Sequence, residues 1–130
     1  MRASDEPVIV LGGGFAGLKA AILVRLLSNR TIPVTLIADS NLFQLKPRFI
    51  LTPFGQQPRV TEVSLARFAD YAEMTVLEER VLQVLPDQQR VDTEQNQYHY
   101  SHLVIATGAA WDDRSIPGLR SSAIGLWPAA

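Results

Sequence analysis

The chain has 130 residues, 47% of them hydrophobic, with 12 basic and 13 acidic residues and a net charge of −1. That length and apolar content suit a single domain with its own core over residues 1–130 and are short for two domains. Charges of both signs are scattered, which gives no electrostatic basis for binding nucleic acid or an anionic membrane, and the absence of cysteine excludes a disulfide framework, a thiolate metal site, a thiol nucleophile and a redox dithiol.

The first residues, Met1 to Pro7, carry acids where a signal peptide has its apolar segment. The run Val8 to Leu27, though apolar, is broken by glycines and holds Lys19 and Arg25. No transmembrane segment is expected, and a cytoplasmic chain is the simpler reading. Val8-Ile-Val-Leu11 reads as a strand that breaks into Gly12-x-Gly14-x-x-Gly17 and then a helix. Each glycine has its own task in a dinucleotide-binding turn. Gly12 makes the tight turn out of the strand, Gly14 lets backbone approach a pyrophosphate, and Gly17 lets helix pack on strand. The helix N-terminus adds unpaired N–H groups and the positive end of a dipole. A sharp turn without a ligand is the competing reading of the glycines alone.

The helix is expected from about Gly14 to Ser28, with Ala16, Ala20, Ala21, Leu23, Val24 and Leu27 as a broad apolar stripe and Lys19 and Arg25 toward water. Asn29 and Pro33 end it. Pro33 to Ala38 is a second strand that stops at Asp39, 22 positions after Gly17, against a spacing of about 20 for a ribose-binding acid. A carboxylate there accepts hydrogen bonds from both ribose hydroxyls and repels a 2′-phosphate, so FAD or NAD fits and NADP does not. No Gly-Lys-Ser/Thr follows the glycines, which excludes a P-loop.

From Ser40 to Pro58, prolines and Gly55 interrupt a segment holding Phe43, Leu45, Phe49, Ile50, Leu51 and Phe54. Such an apolar loop either caps the domain's own core or covers a flat cofactor ring. Thr61 is placed as a helix N-cap with Val60 and Leu65 as a hydrophobic staple, predicting a short helix over Thr61 to Tyr71. Met74 to Leu77 reads as a third buried strand. Arg80 to Leu85, Arg90 to Thr93 and Gln97 to Tyr100 read as short antiparallel strands with turns at Pro86-Asp87 and around Asn96. His102 to Ala106 is a fourth strand running into Thr107-Gly108. His99 and His102 alternate with Tyr98 and Tyr100 as ordinary strand faces; Asp112-Asp113 reads as a solvated turn, and Trp111 and Trp127 as packing residues. No internal repeat is present.

The meander between parallel units departs from a plain NAD domain. Gly12 to Gly17, Asp39, and Tyr100-Ser-His-Leu-Val-Ile-Ala-Thr-Gly108 followed by Ile116-Pro-Gly118 together resemble the N-terminal FAD-binding part of the two-dinucleotide-binding-domain flavoproteins, the pyridine nucleotide-disulfide oxidoreductase-like family. Phe43-Gln-Leu-Lys-Pro47 is most similar to the type II NADH dehydrogenases (NADH:quinone oxidoreductases) and their sulfide:quinone reductase relatives. The resemblance implies an α/β, Rossmann-like FAD/NAD(P)-binding domain, a parallel sheet with a small antiparallel β-meander, in truncated form.

It also implies roles. Gly12, Gly14 and Gly17 with the N–H groups of Phe15 and Ala16 would hold the FAD pyrophosphate, and Asp39, with Ser40 beside it, the adenosine ribose. Val81 would pair with adenine through its backbone, Ala106, Thr107 and Gly108 would lie near the pyrophosphate, and Lys46 and Pro47 toward the ribityl and flavin end. The family's Tyr-Asp before the fourth strand is here Tyr100-Ser101. In the family a second GxGxxG domain for NAD(H) follows the Ile-Pro-Gly turn and the chain later returns to finish the FAD domain, whereas this sequence ends 12 residues after Gly118.

The resemblance therefore leads to an expected half pocket and an unprotected edge at the fourth strand or the loop after it. That edge would favour self-association or a complementary chain carrying the NADH-binding domain. The expected function is the FAD-binding portion of a flavin-dependent NADH:quinone-type oxidoreductase, not catalytic by itself. The alternative is a non-catalytic nucleotide-binding or interaction module derived from that family. Missing cysteines set disulfide reduction and sulfide oxidation aside.

Overall fold

The structure, a computed structural model, describes residues 6–45, 55, 62–109 and 114–122. Strand β1 (Val8–Leu11) leads into helix α1 (Phe15–Leu27) and strand β2 (Val34–Ala38). A short antiparallel ribbon follows, β3 (Leu42–Gln44) against β4 (Glu62–Ser64), and then helix α2 (Ala66–Ala72) and strand β5 (Thr75–Glu78). Strands β6 (Val81–Leu85), β7 (Arg90–Thr93) and β8 (Gln97–His99) form the antiparallel meander, with a 3₁₀ turn at Pro86–Gln88. Strand β9 (His102–Ile105) returns to the main sheet, and a short helix α3 (Leu119–Ser122) follows.

The main sheet is wholly parallel in the order β5-β2-β1-β9. All four residues of β1 are buried because both faces of the sheet are covered, so the strand reads as an unbroken apolar run. Alternation divides them: Val8 and Val10 join Leu18, Ala21, Leu36, Leu65 and Met74 beneath the helices. Ile9 and Leu11 join Ile37, Val91 and Tyr100 beneath the meander. Side chains as fully enclosed as Ile9 and Leu36, both 0% exposed, each contribute about 1.5–3 kcal/mol by leaving water.

Several expectations are corrected. Arg25 is buried, not solvated: its Nε donates to the Ala72 carbonyl at 3.2 Å and its Nη1 donates to the carbonyls of Arg30 and Ile32 at 2.6 and 2.7 Å. The helix buries Gly17, Leu18, Ala21 and Arg25, while Ala16, Leu23 and Leu27 of the expected stripe are exposed. Asn29 and Arg30, with φ of 49° and 61°, then turn the chain toward β2.

The second helix does not start near Thr61, because Glu62–Ser64 pairs with β3 as a strand; the helix begins at Ala66 with Leu65 as its N-cap. Leu65, placed as a staple, is instead fully buried, and its N–H donates to the Asn41 carbonyl at 2.9 Å. The expected Ser40 to Pro58 loop contains strand β3, whose Phe43 is buried. Strand β5 lies at a sheet edge and is only half-buried at Val76 and Leu77. Lys46, Pro47, Phe49, Ile50, Leu51, Phe54, Val60, Thr61, Trp111, Asp112, Asp113 and Trp127 lie outside the described residues. Among the described residues no helix is long and apolar enough to cross a membrane, and no cluster of His, Asp or Glu is arranged to hold a metal ion.

Candidate functional site

The four parallel strands end together. Leu11 lies opposite Ile37 on one side and Ile105 on the other, and Ala38 lies opposite Glu78. Gly12, Asp39, Glu79 and Ala106 therefore leave the sheet at the same, carboxyl, end. From β1 the chain crosses first to β2 on one side and later to β9 on the other, so a topological switch point falls between β1 and β9, where open α/β sheets take their ligands.

The glycine turn sits there. Gly12 has φ of +103°, and a Cβ on it would run into the Ala106 carbonyl and stand 3.1 Å from the Thr107 Cα. Its N–H donates to the Ile37 carbonyl at 2.8 Å, while the Ala106 N–H donates to the Leu11 carbonyl at 2.8 Å. These bonds lock the turn between the ends of β2 and β9. A Cβ on Gly17 would run into the Gly12 carbonyl, so helix and turn meet backbone to backbone. Gly13 was not singled out by the motif, yet a Cβ on it would stand 2.8 Å from Leu65 Cδ1 and 3.2 Å from Ala38 Cβ. The run of three glycines in the sequence is the signal that could have found it.

Gly14 differs from its neighbours. It is the N-cap of α1 in extended conformation (φ −80°, ψ −172°), and a Cβ on it would meet nothing within 4 Å. The space in front of it is open. No side chain caps the helix and no acid occupies its first turn. The first intrahelical bond runs from the Leu18 N–H to the Gly14 carbonyl at 2.9 Å. The N–H groups of Phe15, Ala16 and Gly17 consequently belong to the turn that has no acceptor within the helix. Phe15 and Ala16 are exposed. With the helix dipole behind them, these donors make a seat for an anion.

Asp39 is exposed at the end of β2, beside this turn. Ser40 uses its hydroxyl to accept the Leu42 N–H at 3.2 Å, which shapes the turn into β3. Ala106 packs its backbone against Gly12, Thr107 and Gly108 follow exposed, and Gly108 has φ of +80°. Val81 opens β6 opposite Thr93 and packs on the Ile9, Leu11 and Ile37 side of the core. The structure thus brings Gly12, Gly14, Phe15, Ala16, Gly17, Asp39, Ala106, Thr107 and Gly108 to one end of the sheet, with Val81 reached through Glu79. Lys46 and Pro47 fall outside the described residues. A shallow apolar groove lined by Phe15, Leu18, Ile22 and Phe43 lies along the flank of α1.

Sequence reasoning missed Glu79. Its N–H donates to the Ala38 carbonyl at 2.9 Å, and its buried carboxylate accepts from the Thr93 hydroxyl, the Tyr98 hydroxyl at 2.6 Å and the Asn96 side-chain amide at 3.4 Å. Burial pushes this carboxyl up, but the three hydrogen bonds outweigh it and hold the group below its ordinary value. Burial and the Glu79 carboxylate in turn raise Tyr98.

Comparison with known proteins agrees with this geometry. Residues 6–127 match the family model described as pyridine nucleotide-disulphide oxidoreductase. The chain is 27% identical over 115 residues to the nitric oxide reductase FlRd-NAD(+) reductase of Shigella dysenteriae, covering 85% of this chain and 30% of that protein. Among solved structures it resembles the sulfide:quinone oxidoreductase of Aquifex aeolicus (30% identity, TM-score 0.74, covering 79% of this chain and 24% of that one). It also shares its fold with NDH2 of Plasmodium falciparum, solved in complex with NADH (24% identity, TM-score 0.73, covering 90% and 25%). The chain spans less than a third of the length of each of these relatives. With a family match over nearly its whole length and a glycine turn seated at the switch point of a parallel sheet, the chain belongs to the pyridine nucleotide-disulphide oxidoreductase family.

Proposed function

We propose that this chain binds FAD and is the FAD-binding portion of a flavin-dependent NADH:quinone-type oxidoreductase. The observation that carries the reading is the open space in front of Gly14 at an uncapped helix N-terminus, next to an exposed acid at the end of β2. In this reading the N–H groups of Phe15 and Ala16 hold the pyrophosphate, Asp39 holds the adenosine ribose, and the Val81 backbone meets adenine. Ala106, Thr107 and Gly108 line the phosphate end, with Ser40 setting the turn beside Asp39 and with Lys46 and Pro47 toward the flavin. When bound, FAD supplies a carrier that takes two electrons from NADH and passes them on. The chain's own residues bind and orient; placing a nicotinamide on the flavin is assigned to a complementary chain or segment carrying an NADH-binding domain. The NADH bound to the Plasmodium NDH2 and the NAD(+) reductase name of the Shigella relative support that class of chemistry.

The test is an absorption spectrum after incubation with excess FAD and gel filtration, with an Asp39→Ala control. Co-eluting flavin absorbance near about 450 nm that is lost in the control is the expected result. A folded chain that elutes colourless overturns unaided FAD binding and favours a non-catalytic interaction module.

A further inference from the structure

Glu79 stands where the sheet, the meander and the nucleotide end meet. Through its backbone it extends the β2–β5 pairing by one bond, to the carbonyl of Ala38, the residue immediately before Asp39. Through its carboxylate it gathers Thr93 at the end of β7, Tyr98 on β8 and Asn96 in the turn between them. Val81, two residues further on, opens β6 opposite Thr93. Arg80 closes the same loop by accepting the Glu94 N–H at 3.0 Å. The cluster is otherwise satisfied: Thr93 also accepts the Asn96 N–H at 3.0 Å, and Asn96 donates to Tyr98 Oη at 3.2 Å.

A buried carboxylate is costly unless its oxygens are saturated with donors, and here they are. Removing this acceptor takes a partner from the buried Thr93 hydroxyl, the half-buried Tyr98 hydroxyl and the exposed Asn96 amide, and so loosens the tie between the meander and the end of β2.

We propose that Glu79 is a positioning residue for the adenosine side of the site, setting the spacing between the Asp39 carboxylate and the Val81 backbone by tying the meander to the end of β2. The inference rests on the nucleotide-binding reading above. It assigns Glu79 no contact with ligand, and it separates the adenosine side, which depends on this cluster, from the phosphate side, which depends on the glycine turn and α1.

Three ligand-free or partial-ligand readings on the full chain test it. Glu79→Gln keeps the size of the side chain and removes the charge. It is expected to weaken ADP binding about tenfold, equivalent to about 1.4 kcal/mol, while the affinity for inorganic pyrophosphate stays within about twofold. In the unliganded chain the backbone amide resonances of Asp39 and Val81 move, whereas those of Gly14 to Gly17 do not. Tyr98→Phe removes one donor, leaves the carboxylate with Thr93 and Asn96, and is expected to weaken ADP about threefold, so it decides the matter even where Glu79→Gln unfolds. Unchanged ADP affinity in both variants overturns the proposal, as does an equal loss for ADP and pyrophosphate, the mark of general destabilisation. A wild-type chain that binds neither ADP nor pyrophosphate overturns the nucleotide reading itself, and the proposal with it.

Discussion

Alanine at each motif glycine separates holding the fold from holding a ligand. At Gly17 the new methyl meets the Gly12 carbonyl, a backbone atom fixed by β1 and by the Gly12 N–H bond to Ile37. Helix propensity favours alanine there by about 1 kcal/mol, but helix and strand must separate to admit it, and the net loss is expected at about 2–4 kcal/mol. At Gly12 the methyl meets the Ala106 carbonyl and the backbone is held at φ +103°, so strain of about 1–3 kcal/mol adds to a similar clash. Against a total of about 5–15 kcal/mol for a domain, either change is severe. Gly14→Ala meets nothing within 4 Å and keeps an ordinary φ of −80°, so its cost is that of a poorer N-cap, below about 1 kcal/mol. The methyl does, however, occupy the space through which, in the proposed reading, a pyrophosphate would approach the helix N–H groups, and FAD affinity is expected to fall at least about tenfold. Urea unfolding and FAD titration of the three variants give the comparison. Wild-type FAD affinity in Gly14→Ala, or wild-type stability in Gly17→Ala, refutes the reasoning.

Arg25→Met removes the guanidinium that serves three backbone carbonyls, that of Ala72 in a buried bond, and is expected to destabilise the chain by about 2–3 kcal/mol in urea; a change below about 0.5 kcal/mol refutes the role given to it. Glu79 is held below its ordinary 4.5, so the unfolded state binds more protons as the solution is acidified. Stability from this group is full above pH 4.5 and is lost as pH falls through the folded value, so the stability gap between wild type and Glu79→Gln should narrow below pH 4.5; a gap independent of pH contradicts the assignment. Asp92, lowered by the Gln83 amide and then by Arg90, though burial acts against them, adds to the same acid sensitivity. Strand β9 pairs with β1 alone among the described residues and leaves Ile105 64% exposed, so the chain is expected to self-associate with rising concentration and Ile105→Lys to suppress it. Sedimentation showing a monomer throughout the micromolar range for wild type removes the edge as the cause.

The four parallel strands, the glycine turn and the place of Asp39 at the end of β2 were legible because each rests on local constraint. A backbone that must turn sharply and pack tightly needs glycine at fixed spacing, and a strand ending at an acid announces itself by its apolar run. The start of the second helix was illegible for the opposite reason. Glu62–Ser64 has no strand signal of its own and is extended because β3, 18 residues earlier at the Gln44–Glu62 pair, offers it a partner. Once that ribbon forms, Leu65 is driven into the core and the helix cannot begin before it.

Arg25 and Glu79 mark a subtler boundary between local and tertiary information. Arg25 lies four residues after Ala21 and seven after Leu18, so helical period places it on the buried face; its charge argued it outward, and charge was the weaker guide. Its fork reaches the carbonyls of Arg30 and Ile32 in the turn after α1 and of Ala72 at the end of α2, and a buried cation is tolerated because those bonds satisfy its N–H groups and the Glu73 carboxylate lies 4.0 Å from its Nη2. Glu79 carries no comparable periodic signal, since its partners come from residues 14 to 19 positions later, in a meander whose register only the folded sheet defines. Both charged groups are buried by what they hold together and not by their own chemistry. In one the joint secures the helices behind the sheet; in the other it secures the end of the sheet where the nucleotide is proposed to lie.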